Sequence, residues 1–184
     1  MHRFAPAFVA LCFATIPSSP VAAQTAPVVV DLVKDVDGVA QKFVALAKAM
    51  PVDKYGWRPG TGVRSVGEVF LHVASDNYLM PALVGTAMPA STKLDMKDFK
   101  TFGTYEKRAL TREQTVAELE VSFAHLKTAM QKTKVPMLMN SLDMFGQKST
   151  QQALWIATAT HLHEHLGQSI AYARMNGIVP PWSK

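Results

Sequence analysis

Four stretches of this chain place apolar residues at alternating steps of three and four, which lays one apolar stripe along each of four α-helices. In the first, Leu32, Val36, Val39, Phe43, Leu46 and Met50 form the stripe, and Met50-Pro51 ends it. The second opens at Ser65 with Glu68 three residues on, a pair that caps two orphan backbone donors reciprocally. Its stripe is Val69, His72, Asp76, Leu79 and Leu83, with Val66, Phe70, Val73 and Met80 alongside and Gly85 placed to close it. The third starts with the same kind of cap, Thr111-Arg112-Glu113-Gln114, and continues through Val116, Leu119, Phe123, Leu126 and Met130. The fourth starts near Ser149, with Gln152 three residues later. It follows Leu154, Thr158, His161, His165, Gln168, Tyr172 and Met175 to a stop at Asn176-Gly177. No β-hairpin signal and no β-α-β alternation interrupts this pattern. The expectation is an all-α four-helix bundle.

The connections constrain its topology. Residues 51–64, with Trp57-Arg58-Pro59-Gly60, read as an ordered loop. Residues 88–110 are too long a link for a tight antiparallel pair of helices. A crossover there leaves the second and third helices parallel.

Ahead of the bundle, Met1-His2-Arg3 is basic, Phe4 to Ile16 is apolar and uncharged, and Val21-Ala22-Ala23 offers small residues before Gln24. That order predicts a secretory leader cleaved after Ala23, too short to span a bilayer, and a secreted or periplasmic protein with no membrane segment once mature. The single cysteine, Cys12, falls inside the leader. The mature chain then has neither a disulfide nor a thiolate, and any metal must be held by histidine and carboxylate. The formal charge of +5 is scattered, with no basic run, so nucleic acid is not an expected partner.

Three histidines lie on stripes that face the bundle axis. His161 and His165, four residues apart, project from one face of the fourth helix, and His72 lies on the second. A lone stripe histidine is commonly a core residue with satisfied hydrogen bonds. Three unpaired imidazoles in an apolar core are costly, however, and their convergence favours a divalent cation with open positions for water or substrate. Zinc is the first expectation, with nickel, copper, iron and manganese as the others. His163 is expected to point away from the axis and His125 to sit on the surface. Asp76, one turn past His72, is the candidate catalytic carboxylate: it would orient an imidazole, complete the ligand set or act as a base. Glu68 is read as a cap. Gln168 and Tyr172 stand behind the ligands or bond across the bundle, and Met80, Met130 and Met175 are read as core filling.

The run His161-Leu162-His163-Glu164-His165-Leu166-Gly167-Gln168, then Tyr172, Arg174 and Asn176-Gly177-Ile178-Val179-Pro180-Pro181, resembles the last helix of DinB/YfiT-like proteins. Phe70-Leu71-His72-Val73-Ala74, after Arg58-Pro59-Gly60 and Ser65, is similar to that family's second helix, and Phe145-Gly146 also fits. The resemblance implies up-down-down-up helix order and a three-histidine metal site at His72, His161 and His165. It also implies activities that include thiol-dependent transfer, isomerisation and metal-dependent hydrolysis. A thiol cosubstrate is not expected to be plentiful outside the cytosol.

Two kinds of function follow. One is a metal-dependent hydrolase or transferase acting on an unidentified small molecule. The other is a non-catalytic metal or small-ligand carrier, working through a homodimer or partner surface. No phosphate loop or nucleophile motif is present; Gly60-Thr61-Gly62 is too short to hold a phosphate.

Overall fold

Each stripe becomes a helix in the computed structural model, which describes residues 24–183; the expected leader lies outside the described residues. Helix α1 spans Pro27–Ala49 and α2 Val66–Ala82. A short helix, α3, occupies Lys100–Glu106, followed by α4 over Arg112–Gln131. Strands β1 (Ser141–Met144) and β2 (Gln147–Thr150) form an antiparallel hairpin before α5, Gln151–Met175. Among the described residues no helix is long and apolar enough to cross a membrane.

The predicted reciprocal caps of α2 and α4 hold. At α2 the Glu68 N–H donates to Ser65 Oγ at 3.2 Å and the Ser65 N–H to Glu68 Oε2 at 2.7 Å. Thr111 and Gln114 make the same reciprocal pair at α4. Gly85, at φ 86°, stops α2: its N–H reaches Ala82 O at 3.0 Å while Thr86 N–H reaches Pro81 O at 3.0 Å. These are the paired bonds of a left-handed glycine stop.

The helix order is up-down-down-up. α1 ends beside the start of α2, where Tyr55 OH donates to Ala47 O at 2.8 Å and Gly67 N–H to Tyr55 O at 2.9 Å. At the opposite end, Thr133, just past α4, accepts through its carbonyl from Ala26 N–H at 3.3 Å. Its hydroxyl accepts from Gln151 Nε2 at 3.0 Å and Trp155 Nε1 at 2.9 Å, so α4 finishes where α1 and α5 begin. Helices α2 and α4 are therefore parallel, joined by the crossover, with α3 packed on α2. Phe43, Phe70 and Phe123 meet at the centre of the core, with Leu46, Leu119, Leu126, Leu154 and Trp155 around them.

Four expectations need correction. The hairpin exists: Phe145 and Gly146 both take positive φ, 57° and 86°, at its turn. β1 alternates polar and apolar over only four residues and β2 is wholly polar, and a phenylalanine in the left-handed region gives no Asn-Gly signal. Because β2 absorbs Ser149, the cap of α5 is Thr150, whose hydroxyl accepts from Ala153 N–H at 3.2 Å. Met175 is 65% exposed, so it fills no core space. His125 is half-buried and not a plain surface residue: its ring packs on Tyr78, centroids 5.2 Å apart, and its buried Nε2 has no hydrogen-bond partner among the described residues.

Burial pushes the His125 imidazole below its ordinary value of 6.5, and Lys132 adds to the shift. The folded value lies under the unfolded one, so this contribution to stability is complete above 6.5 and is lost as pH falls through the folded value. His125→Phe is expected to flatten the decline in stability on mild acidification. Urea midpoints of the two chains across that range check this, and parallel profiles would refute it.

Candidate metal centre

Antiparallel packing of α2 on α5 determines which side chains meet. His72 and Asp76 are one turn apart on α2, and His161 and His165 one turn apart on α5. Running in opposite directions, the two pairs match in reverse order. His72 Nε2 lies 3.0 Å from His165 Nε2, and Asp76 Oδ2 lies 2.7 Å from His161 Nε2. The same Asp76 oxygen is 3.3 Å from His72 Nε2. One ring nitrogen from each of the three histidines falls within 4.8 Å of the other two.

The outer faces of the rings are also engaged. His72 Nδ1 is 2.8 Å from Glu106 Oε1, and Glu106 in turn accepts from Arg64 Nε at 2.7 Å and Nη2 at 3.2 Å. His165 Nδ1 is 2.8 Å from Gln168 Oε1, whose amide nitrogen donates to Tyr172 OH at 3.0 Å. Trp57, from the loop before α2, packs edge-on against Tyr172 with centroids 5.4 Å apart.

Burial raises the Glu106 carboxyl, but hydrogen bonds from His72 and Arg64 outweigh it and hold the group below the usual carboxylate range. Burial lowers the His165 imidazole; His72 and His161 lower it further, against the opposing hydrogen bond from Gln168. Glu106 is thus an acceptor only, so His72 carries its proton on Nδ1. Gln168 Oε1 requires the same of His165. With both rings neutral, the two Nε2 atoms present lone pairs to one another at 3.0 Å, with a carboxylate oxygen beside them. Acceptors facing acceptors call for a cation between them. Donors sharing a tetrahedral ion at about 2.0–2.1 Å stand about 3.3 Å apart, so this donor set fits a divalent metal.

The expected ligands His72, His161 and His165 therefore come together, with Asp76 among them. His163 points away, as expected, to Asp35 on α1 at 2.9 Å, and Glu68 is the α2 cap that also accepts from Arg58 at 3.2 Å. Gln168 and Tyr172 stand behind His165. Glu106 and Arg64 were missed. The available signal was Phe102 and Tyr105 at helical spacing just ahead of Glu106, which marks a packed helix inside the crossover.

Comparison with known proteins places this geometry in context. A family model for the DinB superfamily matches residues 36–169. No functionally curated protein matches the chain. Among solved structures, a DinB-like protein from Bacillus cereus is similar at 13% identity and a TM-score of 0.64, over 82% of this chain and 93% of that one. A DinB-like protein from Bacillus subtilis aligns at 18% identity and 0.61, over 80% and 92%. A conserved protein from Enterococcus faecalis aligns at 18% identity and 0.64, over 78% and 93%. At these identities the likeness to the solved structures is one of fold.

Proposed function

The chain belongs to the DinB superfamily, and on that premise we propose that it holds one divalent metal ion through His72, His161 and His165. We propose further that it acts with that ion as a metal-dependent hydrolase or transferase on a small molecule. The observation that carries this reading is the convergence of one ring nitrogen from each of His72, His161 and His165 within 4.8 Å, with His72 Nε2 and His165 Nε2 at 3.0 Å. A bound divalent ion supplies Lewis acidity toward a substrate oxygen. Asp76 keeps a carboxylate oxygen against His161 and His72, where it completes the donor set or accepts a proton from a substrate group beside them. Glu106 fixes the orientation of the His72 ring, and Gln168, held by Tyr172, fixes that of His165. Zinc is our first choice, because imidazole donors without thiolate suit it well. The basic start, apolar run and small residues before Gln24 support export.

Elemental mass spectrometry of the mature protein, prepared without a histidine tag, tests the site. About one metal per chain is expected, and none in His161→Ala/His165→Ala. A panel of ester, amide and thiol-transfer substrates is then expected to show turnover that chelation abolishes and the identified metal restores. A wild-type protein that stays empty after exposure to zinc, nickel and manganese would overturn the reading.

A further inference from the structure

Helix α3 is only seven residues long and lies outside the four bundle helices, yet its last residue reaches the metal centre. Phe102 and Tyr105 are 7% and 2% exposed and pin the helix, which carries the Glu106 side chain inward to His72. Arg64 comes from the other direction, immediately before the Ser65 cap that starts α2, and grips both Glu106 oxygens. A guanidinium only donates hydrogen bonds, so it keeps the carboxylate ionised and accepting, and the His72 proton stays on Nδ1.

We propose that Arg64 and Glu106 are positioning residues that set the tautomer of His72, leaving Nε2 free for the metal. The proposal rests on the metal reading above, but its central claim concerns the metal-free chain. It makes the crossover part of the site, where the DinB-like resemblance of the sequence put its metal ligands only on α2 and α5.

The isosteric change Glu106→Gln distinguishes this role from packing. Arg64 claims the amide oxygen, which turns the amide N–H toward His72 Nδ1. That nitrogen must then accept, and the proton moves to Nε2, the atom needed by the metal. Adding Arg64→Met frees the amide to turn its oxygen back to His72.

Nitrogen-15 NMR of the histidines, recorded on the full mature chain without metal at mildly alkaline pH, reads this directly. His72 is expected to be protonated on Nδ1 in the wild type, on Nε2 in Glu106→Gln, and again on Nδ1 in Arg64→Met/Glu106→Gln. Zinc titration of the same three proteins is expected to show binding weakened about 10–100-fold in Glu106→Gln and partly recovered in the double variant. An unchanged tautomer in Glu106→Gln, or an Nε2 proton in the wild type, would overturn the proposal. If the tautomers switch as stated while wild-type zinc binding is absent, the positioning role stands and the metal reading falls.

Discussion

Saturating the metal-free chain with a divalent cation, at about a thousand times its dissociation constant, is expected to raise the unfolding free energy by about 4 kcal/mol. The gain follows from mass action on the folded state alone. The donors come from α2 and α5, residues 72, 161 and 165, and only the fold gathers them within 4.8 Å. An unfolded chain offers only the local run of His161, His163, Glu164 and His165 without His72, a weaker site. Urea unfolding at several zinc concentrations provides the check, with a midpoint that climbs with the logarithm of free metal. His161→Ala/His165→Ala is expected to show no such climb. Equal stabilisation of both proteins would place the ion elsewhere, for example at the exposed pair of His163 and Asp35.

The second large effect lies in the core. Trp155→Ala is expected to lower stability by about 3–5 kcal/mol, the range for truncating a buried aromatic ring. Trp155 is fully buried, and its indole N–H donates to Thr133 Oγ1 at 2.9 Å. Truncation removes both the ring and one of the two side-chain donors to that hydroxyl. The other, Gln151 Nε2 at 3.0 Å, stays. Thr133 also ties the end of α4 to the starts of α1 and α5, so the lost bond loosens a junction of three helices. Trp155→Phe keeps most of the volume and is expected to cost only about 1 kcal/mol, the net value of one hydrogen bond. Denaturant unfolding followed by circular dichroism separates the two. A Trp155→Ala loss no larger than that of Trp155→Phe would mean that the surrounding core closes over the cavity.

The four bundle helices were legible because burial imposes a 3.6-residue period on long segments, and their caps because Ser65–Glu68 and Thr111–Gln114 are local chemistry. The candidate ligands were legible for the same reason: His72, His161 and His165 sit in the apolar register, where a polar residue stands out. Helix α3 offers only two turns, too few for a period, and Glu106 meets His72 across 34 positions of sequence. The hairpin was hidden by the four-residue length of its strands, by the polarity of β2, and by a phenylalanine occupying a turn position that glycine or asparagine usually takes. His125 was misplaced because it lies between stripes, a position that says little when a neighbouring ring such as Tyr78 folds over it.

The reverse-order match between α2 and α5 has a mechanical consequence. Two contacts, one per turn, close together at a single axial offset of the helices. A slip of one residue is about 1.5 Å, enough to stretch both contacts at once. The cluster is therefore a gauge of sliding between these two rods. Sliding α5 along α2 by that distance would open the His72–His165 and Asp76–His161 pairs together.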